Sequence, residues 1–168
     1  MNDLFEKLDF GRYLKYALFV FLVLTGQNML LGNLRIMGVC PLVLPAAAAA
    51  LGMFEGATFG PVFALIMGLF ADMAYVDTKV FYTLLLPALA LGAAFVSEFY
   101  INRRFFAFMG ISFIVLLICG TMQTLKTLAA DGFSSEMITV IAVQTIWSLP
   151  FSALTYYLPR KWSHERIS

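Results

Sequence analysis

The sequence is poor in the side chains that usually carry catalysis or bind metals. Only 12% of its 168 residues are charged, and its single histidine, His164, lies near the C-terminus. The two cysteines, Cys40 and Cys119, sit inside apolar runs and form no CxxC pair, so we interpret both as buried small apolar residues. The chain has no phosphate-binding GxxxxGKS/T loop and no zinc-ligand spacing. No nucleophile can be paired with a base, so we expect no enzyme, no metal site and no cofactor.

The formal net charge of +1 gives no reason to expect that the chain binds nucleic acid. What the sequence has in abundance is apolar surface, since 61% of its residues are hydrophobic. A soluble domain of this length has too little interior to bury so many apolar side chains. A bilayer removes that limit, because the outside of the protein then contacts lipid. We therefore predict an integral membrane protein, with lipid as its first partner.

Six apolar stretches have the length and composition of membrane-spanning helices, which need about 20 residues. They cover residues 14–31, 39–54, 57–76, 80–100, 105–125 and 137–158. The connections are short, so the sequence predicts an all-α fold: one domain over 1–168, a compact bundle of about six transmembrane helices. A short N-terminus (about 1–13) and a short basic tail (about 159–168) lie outside it. The first stretch is longer than the apolar part of a cleaved signal peptide, so we expect it to remain as a span.

The second stretch is the least regular of the six. It is short, contains Pro41 and Pro45, and is separated from the third only by Glu55 and Gly56. Its length favours a span with Pro41 in the first helical turn, where proline is tolerated. A re-entrant hairpin is the alternative.

The basic residues predict the orientation of the bundle. With six spans and a cytoplasmic N-terminus, eight of the eleven fall inside and three outside, as the positive-inside rule requires. The inner group is Lys7, Arg12, Lys15, Arg103, Arg104, Arg160, Lys161 and Arg166, and the outer group is Arg35, Lys79 and Lys126. An odd number of spans would move the tail residues outward. We therefore expect both termini in the cytoplasm.

A stripe of small residues runs along the third stretch and ends in a carboxylate. Its members recur at every fourth position, at Gly56, Gly60, Ala64, Gly68 and Asp72. This spacing keeps them on one helix face, where small residues let another backbone approach closely. The stripe predicts either internal helix packing or an interface for a partner protein.

Polar residues inside apolar helices are costly and therefore informative. Asp72 is predicted either to anchor a neighbouring helix or partner, or to contact headgroup water near its helix end. We expect the amides within spans to form interhelical hydrogen bonds, at Gln27, Asn28, Gln123 and Gln144. In the basic tail, Arg160, Lys161 and Arg166 are positioned to meet anionic lipid or a cytoplasmic filament.

Two parts of the chain resemble the rod shape-determining MreD family. The first is the proline-bearing second stretch followed by the pattern Gly60-x7-Gly68-x3-Asp72, within residues 41–100. The second is the closing pattern Trp-Ser-Leu-Pro at 147–150, with Tyr-Tyr-Leu-Pro-Arg-Lys at 156–161. The chain departs from that family at Leu42, where an acidic residue usually follows the proline, and in the Asp-Thr-Lys loop at 77–79, which lacks the family's glycine.

The resemblance implies a component of the bacterial inner membrane that maintains rod shape and supports peptidoglycan synthesis. It would act as a non-enzymatic scaffold of the elongasome. The partners it implies are an MreC-like bitopic coiled-coil protein, an MreB-like actin homologue and wall-elongation enzymes. A different class of protein with this size and helix count is the substrate-binding membrane subunit of an energy-coupling-factor vitamin transporter. That alternative requires a polar pocket at the outer face, for which the short outer loops offer few groups.

Overall fold

In the computed structural model, the described residues are 10–29, 31–34, 39–74, 80–99, 105–131 and 135–164. Within them the fold is all-helical, as predicted, and five helices are long and apolar enough to cross a membrane. These are α1 (Phe10–Met29), α2 (Leu44–Ala74), α3 (Phe81–Phe99), α4 (Phe105–Asp131) and α5 (Ser135–His164), with a short 3-10 turn at Leu31–Asn33. α5 continues six residues past its predicted end, so Arg160 and Lys161 are helical.

The helix α2 is not one straight rod. Its backbone leaves the helical conformation at Gly56, where φ is 79° and ψ is −174°. An ideal Cβ on Gly60 would lie 2.7 Å from the Cα of Gly52. In a continuous helix the Cα atoms of Gly52 and Gly60 would be about 12 Å apart. The chain therefore doubles back at Gly56, and α2 is a hairpin of two arms, α2a (44–55) and α2b (57–74).

The α2a arm corrects the expected second span. Its helix begins at Leu44 and not near Val39, so Pro41 precedes the helix and Pro45 occupies its first turn. With 12 residues, α2a is about 18 Å long, shorter than the hydrocarbon core of about 30 Å. It lies as a short helix folded back against the arm that follows it.

The α2a arm is also the centre of the bundle. Every residue from 41 to 55 is buried, and the run Ala46–Ala50 has no exposed surface. A helix that is apolar all round belongs in a core, and alanine side chains allow its neighbours to approach closely. The other helices surround this arm, and each of them exposes large apolar side chains on its outer face.

Contacts between the helices define two ends of the bundle. At the Tyr16 end, Tyr16 bonds to Glu55, and the neighbouring Phe54 packs edge-on against Tyr156 of α5. At the Asp72 end, Gln27 bonds to Val43, Asp72 bonds to Tyr82, and Tyr82 bonds to Gln123. Consequently α1, α2b and α4 run from the Tyr16 end to the Asp72 end, and α2a, α3 and α5 run back. The beginning of α1 and the end of α5 lie at the same end.

Candidate helix-packing and interaction site

Asp72 caps the helix that follows it in the chain. Its Oδ1 accepts the backbone N–H of Tyr82 at 3.0 Å, and its Oδ2 accepts the N–H and the hydroxyl of Thr83, each at 2.7 Å. Tyr82 and Thr83 lie in the first turn of α3, whose N–H groups have no partner within the helix. A carboxylate there also interacts favourably with the positive end of the helix dipole. Of the two predicted roles, the geometry matches the anchor for a neighbouring helix.

Gly68 allows α2b and α3 to approach closely, one helical turn before Asp72. An ideal Cβ on Gly68 would lie 2.5 Å from the carbonyl oxygen of Tyr82 and 2.8 Å from the Cα of Thr83. No side chain fits in that space, so the close approach of α2b to α3 requires glycine. The stripe and its terminal aspartate therefore act on one contact: Gly68 permits the approach and Asp72 bonds the helix end that approaches.

The other stripe members divide into packing residues and a turn. Gly60 packs against Leu51 and Gly52 of the α2a arm, and Ala64 is fully buried. Gly56 does not belong to this packing face: a Cβ there would meet nothing within 4 Å. Its positive φ is the reason for glycine at this position, because other residues rarely adopt it. The expectation of five residues in one continuous face is corrected to three packing residues, a turn and a cap.

Gly52 is a packing residue that the sequence reasoning missed. An ideal Cβ on Gly52 would lie 2.8 Å from the carbonyl carbon of Ala90 in α3, and closer still to its oxygen. Gly52 and Gly60 are each four residues from Gly56, so a reversal at Gly56 brings them face to face. The backbones of α2a, α2b and α3 thus meet at one point. The signal was present, because the every-fourth-residue spacing extends back from Gly56 to Gly52.

The buried start of the α2a arm is held by side chains from two other helices. The Gln27 amide, only 3% exposed, accepts the N–H of Val43 at 2.8 Å and donates to the carbonyl of Pro41 at 2.8 Å. Ser148 of α5 accepts the N–H of Leu42 at 2.8 Å. Non-helical backbone inside a membrane protein requires such partners, because no water satisfies it there. Gln27 was predicted as an interhelical group, whereas Ser148 was not singled out.

The remaining predicted amides differ in role. Gln123 donates to the Tyr82 hydroxyl at 2.7 Å and so links α4 to α3. Gln144 contributes its backbone carbonyl, which accepts the hydroxyl of Ser148 at 2.6 Å. Asn28 is exposed near the end of α1. Hydrogen bonds between helices therefore come from a subset of the polar residues within the apolar stretches.

Glu55 is a buried carboxylate beside the turn of the α2 hairpin. It is 7% exposed, and it accepts a hydrogen bond from the hydroxyl of Tyr16 in α1. Sequence reasoning treated Glu55 as a polar break between two spans, because it stands between two apolar stretches. The structure places it inside the bundle, where it connects the tip of the hairpin to α1.

The basic residues near the C-terminus lie at the Tyr16 end. The guanidinium of Arg160 sits 5.2 Å from the centre of the Tyr156 ring, a cation–π arrangement one turn apart on α5. Lys161 is exposed. Arg166 lies outside the described residues. Tyr156 itself is fully buried against aromatic rings of α2a and α4, so Arg160 closes an aromatic cluster at this end.

Taken together, the polar side chains bond helix ends and hold the arms of the hairpin. Among the described residues, no group of three or more His, Cys, Asp or Glu side chains could hold a metal ion. The arrangement stabilises close helix packing, and its chemistry is that of hydrogen bonds and dipoles. In comparisons with known proteins, no family model, no curated protein and no solved structure matches the chain.

Proposed function

We propose that this chain is a non-enzymatic, MreD-like scaffold of the bacterial inner membrane, which maintains rod shape by holding wall-elongation proteins together. The observation that carries the proposal is the use of its polar groups. Asp72 and Gln123 bond to a neighbouring helix, Gln27 bonds to the backbone just before α2a, and the small residues permit close packing. What the bundle presents outward is a set of apolar helix faces. Such a molecule is suited to contact other membrane helices.

The proposed topology has six crossings, with both termini in the cytoplasm. The two arms of α2 count as two passes, which gives an even number. The charge pattern supports the cytoplasmic side, because eight of the eleven basic residues fall there in this topology. The proposed partners are an MreC-like bitopic coiled-coil protein, an MreB-like filament and wall-elongation enzymes, in accord with the resemblance of the sequence.

The small-residue stripe supports this function indirectly, by stabilising the helix packing under the interaction surface. Because Gly68 and Asp72 fix the contact of α2b with α3, they determine how the outer faces of both helices are presented. A change at Asp72 should therefore weaken partner binding indirectly, together with stability. A partner that contacted Asp72 directly would lose binding without any loss of stability.

Depletion in a rod-shaped host tests the proposal. We expect rounded cells, and we expect affinity purification of the chain to recover a bitopic coiled-coil protein with wall-elongation enzymes. Asp72→Ala should reduce that recovery more than Asp77→Ala, which removes the same charge from a predicted outer loop. Normal rods after depletion, together with tight binding of a vitamin by the purified protein, would instead establish the transporter-subunit alternative.

A further inference from the structure

A groove of about 460 Å³ separates α1 from α5 on the side of the bundle. Its side walls are apolar and come from both helices: Phe19, Leu22 and Gly26 on α1, and Phe151, Leu154 and Leu158 on α5. Leu154 is 65% exposed and Leu22 is 51% exposed, so the groove opens sideways. In a bilayer its opening would face the lipid.

Two lysines stand at the Tyr16 end of this groove. Lys15 lies one turn before Phe19, and Lys161 lies one turn beyond Leu158. Successive helical residues are rotated by about 100°. Lys15 therefore lies within about 40° of the direction of Phe19 on α1. On α5, Lys161 lies about 20° from the direction of Leu154 and about 60° from that of Leu158. Both lysines are exposed. An ammonium carries three donors, so each lysine can meet a phosphate oxygen while keeping another contact.

The side walls of the groove are close in length to one lipid leaflet. From Phe19 to Gln27, which also lines it, α1 rises about 12 Å. One leaflet contributes about 15 Å of hydrocarbon. An acyl chain can therefore lie along the apolar walls of this groove within one leaflet.

We propose that this groove binds one anionic phospholipid, with its acyl chains between α1 and α5 and its phosphate between Lys15 and Lys161. The apolar walls accept the chains of any phospholipid. The lysine pair provides the preference for negative charge, because basic side chains at the ends of membrane helices attract anionic headgroups. This site does not depend on the scaffold function proposed above.

Native mass spectrometry of the purified full chain tests the site, with phosphatidylglycerol and phosphatidylcholine of identical acyl chains as probes. Each basic side chain strengthens binding of an anionic lipid by about five-fold. We therefore expect the wild type to bind phosphatidylglycerol at least ten-fold more tightly than phosphatidylcholine. Lys15→Gln and Lys161→Gln should each lower that ratio by about five-fold.

Arg160→Gln is the matched control, because it removes one positive charge from the residue next to Lys161. Its position is rotated by about 200° from Leu158, and its guanidinium sits over the Tyr156 ring. The lipid ratio should therefore stay within two-fold of the wild-type value. An equal loss in Arg160→Gln and Lys161→Gln would overturn the site, because diffuse attraction to positive charge would then explain the preference.

Leu154→Trp tests the apolar part of the proposal by filling the groove. We expect it to lower binding of both lipids while leaving their ratio unchanged. Unchanged affinity for both lipids would overturn the proposal, since the acyl chains would then lie elsewhere. The proposal would also fail if Leu154→Trp prevented recovery of a protein partner with no effect on lipid binding, because the groove would then be a docking site for protein.

Discussion

The closest approach of three backbones in this bundle can be tested with a single methyl group. Gly52 of α2a faces Ala90 of α3 on one side and Gly60 of α2b on the other. In Gly52→Ala, the new Cβ would lie 2.8 Å from the Ala90 carbonyl carbon and 3.0 Å from its Cα. These atoms belong to the backbone of a buried helix, so no flexible side chain can move aside.

The size of the effect follows from two opposing terms. Alanine favours helix over glycine by about 1 kcal/mol. Against this, α2a and α3 must separate by roughly 1 Å to relieve the overlap, and a gap of that size forfeits a quarter to a half of each dispersion contact nearby. Overpacking of this kind costs about 1–3 kcal/mol or more. Because the overlap is with the backbone of Ala90, we take the upper end of that range, about 3 kcal/mol, which leaves a net loss of about 2 kcal/mol for Gly52→Ala.

Gly92→Ala in α3 is the matched control, because a Cβ at that position meets nothing within 4 Å. It keeps the helix-propensity gain without the overlap, so it should be neutral or stabilising by up to about 1 kcal/mol. Thermal unfolding in detergent, followed by size-exclusion chromatography of heated samples, compares the two variants. If Gly52→Ala were as stable as Gly92→Ala, the close approach of α2a to α3 would be refuted.

Two further predictions concern other contacts of the bundle, and a third concerns the location of the C-terminus. Asp72→Asn should destabilise the protein by about 1 kcal/mol through loss of the charged cap, and exposed Glu98→Gln should have no measurable effect in the same thermal assay. Tyr16→Phe should lower the free energy of unfolding by about 1–3 kcal/mol, because the buried Glu55 carboxylate loses a hydrogen-bond donor. Tyr157→Phe, at an exposed position, should leave it unchanged. Equal unfolding midpoints for the two variants would contradict the hydrogen bond between Tyr16 and Glu55. A cysteine introduced by Ser163→Cys, in a background without native cysteines, should stay unlabelled by an impermeant thiol reagent in spheroplasts, and labelling would contradict a cytoplasmic C-terminus.

The sequence was sufficient for the helical, membrane-type fold and for most helix boundaries, because both depend on composition and on the length of apolar runs. It was not sufficient for the hairpin. Small residues at every fourth position look the same whether a helix continues or reverses, so Gly56 was assigned to a packing face. Only the positive φ distinguishes a turn there. The packing role of Gly60, Ala64 and Gly68 could be predicted, because a spacing of four residues places side chains on one face of a helix.

Burial could not be predicted from hydropathy in the same way. In a membrane protein, lipid-facing and core-facing residues are both apolar, so the central α2a arm could not be distinguished from an outer helix. Glu55 was interpreted as a break between two spans for a related reason, since a charge between two apolar runs normally marks a loop. Its partner, Tyr16, is 39 residues away in the chain. A contact between residues so far apart in the chain cannot be predicted from a local sequence pattern.

The reversal at Gly56 also determines whether the start of α1 and the end of α5 lie at the same end of the bundle. If α2 were one straight helix, α1 would begin at the opposite end of the bundle from the end of α5. The contacts exclude that arrangement, because Tyr16 near the start of α1 bonds to Glu55, and the adjacent Phe54 packs against Tyr156 near the end of α5. Lys15 and Lys161, each within five residues of these contacts, consequently lie at the same end of the bundle. One lipid headgroup can contact both lysines only if they lie at the same end of the bundle, so the lipid site proposed between α1 and α5 depends on the hairpin turn at Gly56.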